Sequence, residues 1–322
     1  MELQQLRYVI AVAETGGFTR AAERCLVVQS ALSHQIGKLE KELGARLFER
    51  TSRKVRLTAA GEAFLPAARQ ALEAAERARS EVAAATGEIR GRLAVGAIAT
   101  GTAVDVPRLM RAYHDRYPQV TMRLQHGMSE ALVRGVRDGG LDLGLLGVPP
   151  SYRGDVGSGL ESRTLVVDHH VAVVAPDHPL AERASGAERA AGDPVPLAEI
   201  VDEAFVDFPA GLAARAQADE AFAAAGLRRE VAFEANDLGF LVDLVRGGLG
   251  ITLLPSRLVS RLPGVTVVPL LDGPTREERL VWNEARRSPA AAAFLETVPM
   301  TAPMTAPMTA PMRAAPETAP TT

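Results

Sequence analysis

The chain has 322 residues, 47% of them hydrophobic and 23% charged, which suits two or three domains rather than one core. A formal net charge of −3 gives none of the overall basic excess that usually accompanies nucleic-acid binding. The single cysteine, Cys25, excludes an internal disulfide and a thiolate metal cluster, and no run of about 18 apolar residues offers a membrane span. Glu2, Arg7, Glu14 and Arg20 interrupt the first twenty residues where a secretory leader would be basic and then apolar, so the chain reads as soluble and cytoplasmic.

The charge is unevenly spread. Residues 1–58 carry ten basic side chains against six glutamates, a net of +4, and hold all three lysines, so the remainder is −7. A basic head on an acidic body is the asymmetry expected when one part meets DNA and another does something else.

In the head, Leu3, Leu6, Val9, Ile10 and Ala13 recur at helical spacing, and Gly16-Gly17 closes this first helix. A short second helix runs from Thr19 to about Cys25. After Leu26-Val27, the residues Leu32, Ile36, Leu39 and Leu43 form one stripe on a third helix, with Ser30, His34, Gly37, Lys38 and Lys41 on the opposite face. Two helices about a tight turn, the second presenting small, polar and basic groups, fit a helix-turn-helix that reads a major groove. A solvated helix face in a bundle fits the periodicity alone.

Next, Leu47 to Arg50 and Val55 to Thr58 read as short strands joined through Thr51, Ser52, Arg53 and Lys54. This is a basic-tipped wing whose Arg50, Arg53 and Arg56 are placed to reach phosphates or a minor groove. Thr58 then caps a helix running to about Thr86, roughly 42 Å long. On it Leu65, Ala68, Leu72, Ala75 and Val82 form an approximate a/d seam, which predicts pairing with another subunit, and Pro66 predicts a bend.

From Leu6 to Glu62 the chain closely resembles the N-terminal domain of LysR-type transcriptional regulators. The resemblance is carried, in order, by Phe18-Thr19, Ala21-Ala22, Gln29-Ser30-Ala31-Leu32-Ser33, Leu39-Glu40, Leu43-Gly44, Leu47-Phe48 with Arg50, and Thr58 with Ala60-Gly61. It implies a winged helix-turn-helix, a linker-helix dimer that usually assembles into a tetramer, and an effector-binding domain filling the rest of the chain. The implied partners are promoter or operator double-stranded DNA and RNA polymerase. Gln29, Ser30, Ser33 and His34 are then expected to probe the major groove while Arg50, Arg53 and Lys54 hold the backbone, with Thr19, Arg20 and Lys38 completing the DNA-facing set. One position departs from the family pattern: Val28 stands where serine usually caps the recognition helix, and Ser30 is the nearest residue able to compensate in part.

Beyond Gly91 apolar strand-like runs alternate with helices. Strands are expected at 93–98, 120–124, 141–146, 171–175, 204–208, 231–234, 250–254, 265–270 and 280–282, with helices at 104–117, 130–138, 212–225 and 238–246. That order predicts parallel α/β sheets receiving a ligand at strand ends. RAYHDRYPQV, GGLDLGLLGVP, VVAPDHPLA and RGGLGITLLP resemble parts of the LysR-type effector domain, which is similar to periplasmic binding proteins. The resemblance implies a DNA-binding domain at 1–58, a linker helix at 59–89 and an effector domain at 90–297. That domain divides into subdomain I (91–162 and 268–297) and subdomain II (163–267). From 298 to 322 the repeated Met-Thr-Ala-Pro composition predicts a disordered tail.

A cleft between the subdomains would collect helix N-termini, which suit a small ligand carrying a carboxylate or other oxygen. Thr100, Thr102, Ser129, Phe208, Pro209 and Asn236 occupy the relevant strand-to-helix turns and are the candidate effector residues, although each suits a simple capping role equally well. The effector's identity is open, and no cofactor or metal is expected. Gly127-Met128-Ser129-Glu130-Ala131 is one residue short of a nucleophile elbow, His169-His170 would point to opposite faces of a strand, His178-Pro179 reads as the start of a loop, and Gly248-Leu249-Gly250 lacks a third glycine. A solute-binding or hydrolytic α/β protein whose N-terminal helices drive oligomerisation is the competing reading.

Overall fold

A computed structural model describes residues 1–50, 55–153, 159–185 and 193–299. The head consists of α1 (Leu3–Thr15), α2 (Phe18–Arg24) and α3 (Gln29–Leu43), closed by the antiparallel strands β1 (Phe48–Arg50) and β2 (Val55–Leu57). Gly16 at φ 66° and Gly44 at φ 69° end α1 and α3 in the left-handed region, where glycine escapes the Cβ clash. Leu32, Ile36 and Leu39 are fully buried in a cluster with Val9, Val12, Phe18 and Phe48, whose rings meet edge to face at 5.7 Å between Phe18 and Phe48. Leu43, the fourth residue of the expected stripe, is 42% exposed because the last turn of α3 outruns this small core.

The linker helix α4 (Ala59–Ala85) starts at Thr58, whose Oγ1 accepts from the Gly61 amide at 3.0 Å and donates to the Arg46 carbonyl at 2.6 Å. A side chain at Gly61 would collide with the Leu47 carbonyl oxygen, so the wing and the helix start pack through a bare backbone. The helix continues on both sides of Pro66. The seam expected to face another subunit is partly covered by the chain itself. Ala68 is buried, Leu65, Leu72 and Ala75 are half-buried, and Val82 remains exposed. Arg7–Glu76 and Arg69–Glu14 ion pairs at 3.3 and 3.4 Å tie α1 to α4.

The body continues through β3 (Gly91–Ala97), α5 (Val106–Arg116), β4 (Val120–His126), α6 (Ser129–Asp138), β5 (Leu143–Val148), β6 (Glu161–Val174) and α7 (Pro179–Ser185). It is completed by β7 (Ala204–Asp207), α8 (Ala213–Ala224), β8 (Glu230–Glu234), α9 (Leu238–Arg246), β9 (Thr252–Pro255), α10 (Ser256–Val259), β10 (Thr266–Val268), β11 (Thr275–Trp282) and α11 (Pro289–Thr297). β3 runs parallel to β4 and β5, and β7 parallel to β8. β11 lies antiparallel between β5 and β6, and β6 is antiparallel to β9 and β10. The sheets are therefore mixed, not wholly parallel: every pairing that β6 and β11 make is antiparallel.

β6 is the element that joins the two halves. Its residues 161–169 pair with β11 and its residues 170–174 with β9 and β10, so one strand of 14 residues belongs to both sheets. The sequence pattern showed only its apolar end. α7 forms where a loop was expected, with His178 Nδ1 accepting from the Leu180 amide at 3.2 Å. α11 closes the first core by placing Phe294 against Tyr113 at 5.3 Å, and the Tyr113 hydroxyl donates to the Ala290 carbonyl at 2.8 Å. Of the repeat tail, residues 300–322 lie outside the described residues.

Candidate DNA-reading face and effector cleft

On α3, Gln29, Ser30, His34 and Lys38 are exposed and Ser33 is half-buried; Thr19 and Arg20 are exposed at the start of α2. Arg20 Nε donates to the Thr15 carbonyl at 2.8 Å, which fixes its guanidinium beside that helix start. Lys38 Nζ lies 3.9 Å from Glu2 Oε1, a loose exposed pair. Arg53 and Lys54 lie outside the described residues, as does the side chain of Arg50. Val28 is the N-cap of α3 and supplies no side-chain bond, and among the described residues no Ser30 hydrogen bond replaces it. Leu26 turns the chain between α2 and α3 at φ 54°, the only non-glycine in the left-handed region among the described residues.

In the body, a cleft of about 290 Å³ opens beside β6, the strand shared by the two sheets, and the start of β11. Thr100, Ser129, Phe208 and Asn236 line it, brought together from four separate turns; Thr102 and Pro209 do not. Thr102 is turned instead onto Glu278, which accepts from its amide and its hydroxyl. The lining also holds His170, Glu130, Gln217 and Arg276, which the sequence reading did not single out as ligand-binding.

Arg276 is 2% exposed, its Nη1 donating to Thr100 Oγ1 at 3.1 Å and its Nη2 to the Thr100 carbonyl at 2.8 Å and to Glu278. Burial beside this cation pushes the His170 ring down to about pH 3, so it is neutral, with Nδ1 3.2 Å from the Pro274 carbonyl. His169 is exposed on the other face of β6, as alternation requires. Ser129 Oγ lies 3.2 Å from both the amide and the carbonyl of Gly147, and Gln217 Nε2 donates to that carbonyl at 3.1 Å. The serine of the near-elbow is thus engaged with backbone.

Phe208 is positioned from behind. Asp207 accepts from the Phe208 amide at 2.7 Å and pairs with Arg229 at 2.6 Å, whose guanidinium lies 4.9 and 5.4 Å from the Phe205 and Phe222 ring centroids. Of the polar residues missed by the sequence reading, Arg276 did carry one sign: Thr275-Arg276-Glu277-Glu278 places a cation and two carboxylates at the start of an apolar strand. Among the described residues, no group of three His, Cys, Asp or Glu side chains is placed to hold a metal ion, and no helix is long and apolar enough to cross a membrane.

A second cleft of about 330 Å³ separates α4 from the body and is lined by Glu73, Arg77, Arg92, Asp142 and Arg286 among others. Burial raises the Glu73 carboxyl to about 7, opposed by Arg286 and reinforced by Asp142. Asp142 is also raised by burial, against the hydrogen bond it accepts from the Ala94 amide.

Comparison with known proteins accounts for both halves. Residues 3–62 match the bacterial regulatory helix-turn-helix model of the lysR family, and residues 86–301 match the LysR substrate binding domain model. The chain is 34% identical to the regulator IlvR of Caulobacter vibrioides over 92% of this chain and 97% of that protein. It is 34% identical to the transcriptional dual regulator GltC of Bacillus subtilis over 83% and 85%. A full-length OxyR variant from Pseudomonas aeruginosa superposes with a TM-score of 0.69 at 27% identity, covering 92% of this chain and 94% of that one. Full-length CbnR bound to its target DNA superposes at 0.65 with 28% identity, covering 92% and 99%. With a helix-turn-helix head, a linker helix and a two-sheet body in this order, the chain belongs to the LysR family of DNA-binding transcriptional regulators with an effector-binding domain.

Proposed function

We propose that α3 reads operator sequence through Gln29, Ser30, Ser33 and His34, while Thr19, Arg20, Lys38 and the wing residues Arg50, Arg53 and Lys54 hold the phosphate backbone. A small-molecule effector enters the cavity between the two sheets and is read by Thr100, Ser129, Phe208 and Asn236. Binding there resets the angle between the sheets, since β6, which contributes His170 to the cavity, belongs to both. The altered setting passes through α4 to the partner subunits of a dimer or tetramer, and from them to DNA bending and RNA polymerase contact. This takes place in the cytoplasm, without catalysis.

The observation that carries this reading is the convergence of four separate turns on one cavity beside β6, the strand shared by both sheets. It is tested by a gel shift on the DNA upstream of the protein's own gene. Retarded complexes that are lost in a Gln29→Ala/His34→Ala double variant support the reading; no specific retention by wild type overturns it.

A further inference from the structure

The cavity has an unusual electrostatic balance. Glu130 reaches across it from α6 and accepts from the Ala213 amide at the start of α8 at 2.5 Å, so its Oε1 caps the opposite wall. Its Oε2 is buried and has no hydrogen-bond partner among the described residues. Arg276 keeps one orphan as well: both terminal nitrogens are bonded, but Nε is buried without an acceptor. A buried carboxylate oxygen and a buried guanidinium donor left unsatisfied on lining residues of one cavity are the groups a ligand is expected to complete.

The positive charge on Arg276 is already matched by Glu278, and His170 turns Nδ1 to Pro274. His126 also lines the cavity, but Glu130 makes no ion pair among the described residues. Asp237, also in the lining, caps α9 at the Phe240 amide at 2.9 Å and adds further negative charge. A ligand that is only an anion would meet Glu130 unscreened. A ligand that is only a cation would leave the start of α6 empty: its N-cap Met128 provides no side-chain acceptor, so the first amides of this ten-residue helix are open to an anionic group.

We infer that the effector is amphoteric, presenting a cationic hydrogen-bond donor to Glu130 and a carboxylate to the open start of α6 beside Arg276, as an α-amino acid does. This rests on the proposal that the cavity is the effector site, and it goes further by naming the class of molecule. Glu130 is then the residue that sets the effector's charge type.

The test uses the full chain in calorimetric titrations and thermal-shift assays. The probes are the twenty proteinogenic amino acids, each compared with the carboxylic acid lacking its amino group and the amine lacking its carboxylate. At least one amino acid binds, at least tenfold tighter than either of its truncated analogues. Glu130→Gln keeps the oxygen facing Ala213 and weakens that binding at least tenfold. The inference is overturned if no amino acid binds, if a deaminated acid binds within threefold of its parent, or if Glu130→Gln has no effect. The analogue comparison uses wild type and does not depend on a variant folding. Ala214→Trp fills the cavity and separates the two levels of the proposal. A ligand that still binds this variant lies elsewhere, and the cleft assignment fails. A ligand lost in Ala214→Trp but indifferent to its own amino group leaves the cleft standing and removes only the amphoteric class.

Discussion

Glu278 holds Thr102 across 176 positions of sequence, its carboxylate accepting the Thr102 amide at 2.9 Å and the Thr102 hydroxyl at 2.6 Å. The same carboxylate accepts the Ala103 amide at 2.8 Å and pairs with the buried Arg276. One side chain on β11 therefore fixes the loop that follows β3 and neutralises the cation at the floor of the cavity. Thr102 belongs to this internal brace, and Thr100 is the loop residue that lines the cavity.

Removing that brace has a predictable cost. Glu278→Ala leaves Arg276 buried without its carboxylate and frees the 98–105 loop, and breaking a buried pair in this way costs about 3–5 kcal/mol. Urea denaturation monitored at Trp282 is expected to show a loss of that size. Glu278→Gln, which still offers an oxygen to Thr102, is expected to lose less.

At the other end of the molecule, Val28 leaves the recognition helix without a side-chain cap. Val28→Ser restores an acceptor for the first-turn amides and is expected to stabilise the head by about 1 kcal/mol. Thermal denaturation followed by circular dichroism reads this directly. A variant no more stable than wild type would show that the cap geometry at position 28 is not available.

Glu73 gives the linker a pH signature. Its folded-state carboxyl is raised from the usual 4.5 to about 7 by burial, so between those values the native state holds a proton that the unfolded chain has released. Stability contributed by this group is complete below pH 4.5 and is lost as pH rises through 7. Glu73→Gln, always neutral, is expected to flatten that loss and to exceed wild-type stability above pH 7. Melting curves from pH 5 to 8 for the two proteins check the sign.

Two head variants separate anchoring from reading. Arg53→Ala is expected to weaken binding to all DNA sequences and to lower the salt slope of log K by about one. Ser33→Ala is expected chiefly to relax sequence preference. Gel-shift salt titrations with equal slopes for Arg53→Ala and wild type would remove Arg53 from the phosphate contacts.

The head was legible because its information is local. Leu32, Ile36 and Leu39 recur at the helical period, Gly16 and Gly44 stop the helices, and Thr58 caps the linker, all within one turn of the residues they affect. The body was legible where apolar runs were complete, as in β3 and β5, and obscure where polar residues sit at strand positions. The middle of β6 carries Asp168, His169 and His170, and the first half of β11 carries Arg276 and Glu278, so neither reads as buried until the strands are paired.

Net charge alone pointed away from DNA, yet its distribution along the chain, with the spacing of the first three helices, determined a basic reading head on an acidic body. Local periodicity and capping suffice for that, because each helix is specified by neighbours a few residues away. Which polar groups meet in the cavity was decided only by the tertiary structure. Glu130 and Ala213, Thr100 and Arg276, and His170 and Pro274 are far apart in sequence and come within hydrogen-bonding distance only in the folded chain. Long-range packing of helices and pairing of strands set those contacts, and one element's own residues carry no record of its partner's.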